Sequence, residues 1–200
     1  MVPKWNVPKR NTVCLCQRFN NRYHFATLYN TYHRIAIYSA YRFQTGGGGG
    51  REKYWYIEPQ LVDRSWNKDM EVEEDLAINH MGVYFGQSQA LNEDYINTTY
   101  DRGHLNPNGH HTGLRAGGRH PFQNNWIIKN NNPRVNIPDY IWNAYCCLDK
   151  KGWPIRSGGA IANNTDQTSV KSCTLSELKT LLKQYTKSKV LVLFRNKCGA

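Results

Sequence analysis

The sequence predicts an α+β protein with a mostly antiparallel sheet and packed helices. Three observations carry this reading. Strand-like and helix-like stretches interleave without the strand–helix rhythm that builds a parallel sheet. No dinucleotide-binding glycine fingerprint is present. The chain closes on a capped amphipathic helix followed by an apolar strand, within Thr174–Phe194. A length of 200 residues suits one domain. Residues 14–198 are expected to form it, and residues 1–13, with two prolines and little pattern, to be an N-terminal arm.

Taken in order, Asn20–Phe43 is rich in Tyr, Ile, Thr and Phe, and within it Arg34-Ile-Ala-Ile-Tyr-Ser-Ala-Tyr-Arg-Phe43 reads as a strand. Gly46–Gly50 is a run of five glycines, a flexible connection. A phosphate-cradling loop would need a following Lys-Ser/Thr and a helix start. Instead Arg51-Glu-Lys-Tyr-Trp-Tyr-Ile57 follows and reads as a strand. Glu71–Met81 predicts a short helix, and Asn92–Tyr100 mixes turn and helix signals. Asn106–Pro121 is rich in Gly, His, Asn and Pro and predicts a loop. Trp126–Ile128 predicts a strand. Ile137–Leu148 predicts a helix, with Pro138 tolerated in its first turn.

The C-terminal region has the clearest signals. Thr174-Leu-Ser-Glu177 is a capping-box pattern, and Leu175, Leu178, Leu181, Leu182 and Tyr185 then repeat at helical spacing. That stripe reads as core. Val190-Leu-Val-Leu-Phe194 reads as a buried strand. There is no internal repeat.

Charge narrows the class of partner. The formal net charge is +11 and the pI near 9.4. Residues 1–50 hold seven basic and no acidic residues, whereas residues 51–100 hold four basic and ten acidic. The densest acidic run is Asp69-Met-Glu-Val-Glu-Glu-Asp75. Outside that quarter the chain is strongly basic and suited to polyanions such as nucleic acid. With 40 % hydrophobic and 12 % aromatic residues, the chain has enough apolar surface to offset the ordering entropy of folding. No apolar run approaches the roughly 18 residues of a membrane-spanning helix, so no membrane partner is expected.

Six cysteines, Cys14, Cys16, Cys146, Cys147, Cys173 and Cys198, include no Cys-x-x-Cys pair. This argues against zinc-ribbon and thioredoxin patterns and for a disulfide-stapled secreted protein, with the pairing left open. The sequons at Asn97 and Asn163 lean the same way. Met1-Val-Pro-Lys-Trp5 carries no apolar h-region of a signal peptide.

The stretch with most chemical content is Tyr100-Asp-Arg-Gly-His-Leu-Asn-Pro-Asn-Gly-His-His111. Imidazole, with an ordinary pKa of about 6.5, is the side chain best poised as a base at neutral pH. Phosphodiester cleavage needs a base for water, a cation for the phosphate oxygens and help for the leaving oxygen. His104 and Arg102 supply the first two, and residues two apart on an extended chain face the same side. A zinc site from His104, His110, His111 and His120 is not supported, because their spacing matches no zinc pattern.

The string Asp101-Arg-Gly-His-Leu-Asn-Pro107 resembles the Asp-Arg-Gly-His signature of the DNA/RNA non-specific endonucleases, whose active site is a ββα-metal (His-Me finger) motif. Cys16–Tyr29, Arg34–Tyr41 and Trp55–Leu61 are similar to the vertebrate endonuclease domain-containing proteins of that family. The resemblance implies His104 as general base and Arg102 as a phosphate ligand, with Arg51 or Lys53 as a further phosphate contact. It also implies one divalent cation, Mg²⁺ with Mn²⁺ as an alternative, held by a single Asn on a helix and by waters. Family members read Thr-Asn-x-x-Pro-Gln and then Asn about four residues before a Trp. Here Lys129-Asn-Asn-Asn-Pro-Arg-Val-Asn-Ile-Pro-Asp-Tyr-Ile-Trp142 stands in that place. Asn130 and Pro133 keep the first spacing, which gives Asn130 a supporting place in the site. Arg134 replaces the Gln. Pro138 falls four before Trp142, so Asn136 becomes the metal ligand in a shifted register. The implied function is a secreted, sequence-nonspecific endonuclease that hydrolyses DNA and RNA and grips them through phosphates. The alternative is a catalytically inactive protein that binds nucleic acid or another polyanion. Oligomeric state is left open.

Overall fold

A computed structural model of the chain describes residues 3–5, 10–43, 54–103, 113–120, 125–165, 167, 169–186, 191–194 and 198. In chain order the elements are β1 (Lys4–Trp5), β2 (Thr12–Phe19), β3 (Arg22–Asn30), β4 (Ile35–Phe43), β5 (Tyr56–Ile57), β6 (Glu71–Val72), α1 (Glu73–Asn79), β7 (Gly113–His120), β8 (Trp126–Lys129), β9 (Asn132–Asn136), β10 (Tyr140–Leu148), β11 (Pro154–Asn163), β12 (Val170–Cys173), α2 (Leu175–Thr186) and β13 (Leu191–Val192). Three 3-10 turns lie at Pro59–Leu61, Phe85–Gln87 and Asn92–Tyr95.

Seven strands form one sheet in the order β12-β11-β10-β7-β4-β3-β2, and every pairing in it is antiparallel. The fold class is the one the sequence predicts. Local chemistry sets two of the hairpins. Asn20-Asn21 and Asn130-Asn131 take positive φ at all four positions, the conformation of the tight turn whose twist matches two antiparallel strands. Asparagine tolerates it because its short polar side chain bonds locally.

One sheet face packs on α2. Leu175, Leu178 and Leu182 are buried against Trp142, Ala144, Cys146 and Ile161. Each such leucine stabilises the fold by about 1.5–3 kcal/mol. The cap forms as its sequence pattern implies: Thr174 Oγ1 accepts from Glu177 N at 3.2 Å, and Thr174 N donates to Glu177 Oε2 at 2.8 Å. Gly159 lets the helix approach, since a Cβ there would stand 2.6 Å from Leu178 Cδ2. The closing strand is buried through Leu191 and Leu193, and β13 pairs with β1. Cys146 and Cys198 form a disulfide that ties β10 to the C-terminal end, while Cys14, Cys16, Cys147 and Cys173 are free.

Two expectations are corrected. Residues 113–120, expected in a loop, form β7, the central strand between β4 and β10. Its glycines suppress the propensity signal, and flanking strands supply the order. Ile137–Leu148, expected to be a helix, contains strand β10. Trp142, Ala144 and Cys146 are buried while Ile141 and Asn143 are exposed, a period of two and not 3.6. The Asn130–Asn136 stretch therefore lies on a β8–β9 hairpin that runs on into a strand, and not on the helix the resemblance implies.

Candidate active site

Residues 54–103 pack over the opposite face of the sheet, across β2, β3 and β4. Ile57, Leu76, Phe85 and Leu91 form an apolar cluster within the segment, and its Ala90 and Tyr95 pack against a second cluster of Ile35, Ile127, Val135 and Ile137. Between this segment and the sheet lies a cleft of about 360 Å³. Arg102 and Gly103, the residues just before His104, line it.

Arg102 is held from several sides. Its guanidinium lies 4.6 Å from the Trp55 ring centroid and 5.2 Å from that of Tyr95. Its Nη1 donates to Asn92 Oδ1. Asn92 in turn donates from its backbone to Glu73 Oε2 at 2.8 Å and from Nδ2 to Glu74 Oε1 at 3.2 Å. Part of the acidic run thus orients Arg102 through Asn92. Burial lowers the Arg102 pKa from its ordinary value, while Tyr95 and Glu73 oppose that shift. Burial likewise raises the Glu73 carboxyl. A cation stacked on two rings and bonded at one nitrogen keeps its remaining N–H groups in a defined direction, as phosphate binding requires.

A second arginine pair braces the same 3-10 turn. Arg134 Nε and Nη2 donate to the two oxygens of Asp94 at 2.7 and 3.1 Å. Asp94, 1 % exposed, also accepts from Leu91 N at 2.9 Å. The Gly86 carbonyl accepts from Arg134 Nη1 at 2.9 Å and from Arg34 Nε at 3.0 Å. Because Asn92 and Tyr95 lie on the turn that contains Asp94, this pairing fixes two of the groups that hold Arg102.

Deeper in the cleft, Glu58 is clamped by Gln89, whose Oε1 accepts from Glu58 N at 2.9 Å and whose Nε2 donates to Glu58 O at 3.1 Å. Glu58 Oε1 is buried, with no hydrogen-bond partner among the described residues. Burial pushes the carboxyl up to about 7, against a hydrogen bond from Gln17. The folded state therefore keeps a proton that the unfolded chain loses near pH 4.5. The contribution of this carboxyl to stability is fully present below that value and is lost as the pH rises through 7, by about 3 kcal/mol in full. Denaturant melts at pH 5 and pH 8 are expected to show this loss, and Glu58→Gln to flatten it. A wild-type profile that rises over this window contradicts the assignment.

The other expected site residues fall as follows. His104, Arg51 and Lys53 lie outside the described residues. Asn130 sits exposed at the β8–β9 turn with φ 48°. Asn136 is 2 % exposed at the end of β9, and its Nδ2 donates to Asn125 O at 3.1 Å. That bond orients the amide, whose Oδ1 is the hard oxygen donor that Mg²⁺ takes. Among the described residues no three His, Cys, Asp or Glu side chains gather to hold a metal. Asn136 is not among the described residues that line the cleft with Arg102, and its Oδ1 is buried; the amide matches the metal in kind of donor only. Sequence reasoning missed Tyr95, Asn92 and Glu73 around Arg102. The acidic run was the one available signal, and nothing in it pointed to an arginine some thirty residues away.

Residues 7–127 match the DNA/RNA non-specific endonucleases, and the chain belongs to that family of metal-dependent nucleases. Over 94 % of its length it is 27 % identical to Endonuclease domain-containing 1 protein of Homo sapiens and 26 % identical to that of Mus musculus. The match covers 44 % of each relative, so the chain spans less than half their length. No solved structure matches it. No helix among the described residues is long and apolar enough to cross a membrane.

Proposed function

We propose that residues 14–198 form a single secreted endonuclease domain that hydrolyses DNA and RNA phosphodiesters without sequence preference. The carrying observation is Arg102, clamped between Trp55 and Tyr95 two residues before His104. The Cys146–Cys198 disulfide supports an oxidising compartment.

In this reading Arg102 grips a non-bridging phosphate oxygen, and Arg51 or Lys53 grips a neighbouring phosphate. An imidazole nitrogen of His104 takes the proton from the attacking water. The water oxygen bonds to phosphorus, the bond to the 3′-oxygen breaks, and that oxygen leaves with a proton from solvent. The products are a 5′-phosphate and a 3′-hydroxyl. Asn136 would hold Mg²⁺, with Asn130 in support; the ion, when bound, supplies neutralising charge for the scissile phosphate and the departing oxygen. Because the grip is on phosphates, affinity falls with salt with a slope of about −0.9 per phosphate contacted on duplex DNA.

Plasmid incubated with Mg²⁺ or Mn²⁺ is expected to be nicked, and the same mixture with EDTA to stay supercoiled. A retarded but uncut plasmid in every divalent salt would sink the hydrolytic reading and leave a binding protein.

A further inference from the structure

Only part of the cleft-bearing sheet face is covered. Gly117 of β7 pairs with Ser39 on one side and Asn143 on the other, so Asn143 shares the face of Ser39, which lines the cleft. Over β2 to β4 that face lies under residues 54–103. Over β10 and β11 no described element covers it: Asn143 is exposed and Ile141 is 40 % exposed. The residues paired with Asn143 and Tyr145 on β11 are Ala160 and Gly158, so the surface is low. Tyr145 leans across it. A Cβ on Gly158 would stand 2.8 Å from the Tyr145 Oη and 3.0 Å from its Cε1 and Cζ, so the ring lies along the neighbouring strand and does not stand up from the sheet.

The β10–β11 turn adds a second aromatic group. Asp149 Oδ1 accepts from Lys151 N at 2.9 Å and from Trp153 N at 2.7 Å, and Asp149 N donates to Trp153 O at 2.8 Å. Gly152 takes φ +85°, which a side chain would resist. This bonded turn leaves Trp153 62 % exposed. Lys150 and Lys151 of the turn are exposed, as is Arg156 of β11, which pairs with Cys147 on the Tyr145 face, and Asp149, the one carboxylate between residues 140 and 163, is committed to the turn. Cys146 pairs with Leu114, so the turn stands at the end of the sheet where the chain enters β7 from the stretch containing His104.

We propose that this open half-face is a platform for single-stranded nucleic acid, on which Tyr145 and Trp153 stack bases while Lys150, Lys151 and Arg156 hold phosphates. It rests on the nuclease reading and extends it by naming where a strand lies beyond the scissile phosphate. Every base has a π-face, so stacking of this kind tolerates sequence. A duplex keeps its bases stacked on each other and offers none to the rings, so the platform favours single strands. Trp153 and Ile155 do protrude, but Tyr145 lies flat along the sheet as a base-stacking ring does, and vesicle adsorption is the control that separates the two occupants.

The test is fluorescence anisotropy with a labelled single-stranded oligonucleotide and with its duplex, in EDTA so that neither is cut. Trp153→Ala and Tyr145→Leu are each expected to weaken single-strand binding about five- to hundredfold and to leave duplex binding unchanged. Lys150→Glu is expected to lower the salt slope on the single strand by about 0.7 for the phosphate lost. Trp153→Ala removes an exposed side chain, so its unchanged thermal melt keeps the test informative should Tyr145→Leu fail to fold. Unchanged single-strand affinity in Trp153→Ala overturns the platform, as does an equal loss on duplex. Retained oligonucleotide binding with lost adsorption to phosphatidylserine vesicles overturns it too. The selective loss supports the platform whether or not the wild-type protein nicks plasmid, so its failure and that of the nuclease reading are told apart.

Discussion

His104→Ala is expected to abolish Mg²⁺-dependent nicking of plasmid while the thermal melt stays that of the wild type. General-base help is worth about 10²–10⁴ in rate, and removing the imidazole leaves water with no group to take its proton. Arg102 keeps its contacts with the Trp55 and Tyr95 rings and with Asn92 Oδ1, none of which the substitution removes. The variant should therefore still retard DNA at low salt. Single-turnover nicking, with protein in excess, isolates the chemical step. A variant that cuts at the wild-type rate removes His104 from the mechanism.

Asp94→Ala is expected to cost about 3–5 kcal/mol of stability, because it strands the buried Arg134 guanidinium without its carboxylate. Three bonds to the Asp94 oxygens are lost at once, two from Arg134 and one from Leu91 N. The damage should reach the site as well. Asn92 and Tyr95 share the Asp94 turn, so Arg102 loses part of its clamp and nicking falls with stability. The double variant Asp94→Leu/Arg134→Met, which removes both charges, should recover much of the stability in urea melts. If Asp94→Ala melts within 1 kcal/mol of wild type, the pair is not the brace described here.

Arg134 also shows why a motif that departs from its family pattern is hard to judge by eye. In the string Asn130-Asn-Asn-Pro-Arg134 the arginine looks like the loss of a site glutamine. In the fold it has a carboxylate forty residues away in sequence, and the replacement becomes half of a structural pair.

Local signals were legible where one stretch of chain decides its own conformation. The α2 cap, the leucine stripe beneath it and strand β4 follow from residues within a few positions of each other, and so do Arg102 and His104 as chemical candidates. Strand β7 was not legible, because Gly113, Gly117 and Gly118 carry no strand preference and are ordered by β4 and β10 on either side. Strand β10 was misread because Ile137–Leu148 mixes apolar residues that suit either period; burial against α2 on one side alone chose the period of two. The partners of Arg102 and the lifted proton affinity of Glu58 depend on groups brought from distant parts of the chain. Charge, composition and the Asp-Arg-Gly-His string thus determined the family and the chemical candidates, Arg102 and His104. Which rings clamp the cation, which carboxylates are buried and which sheet face stays open were decided by the tertiary fold, because those properties arise from packing and desolvation that no run of neighbouring residues contains.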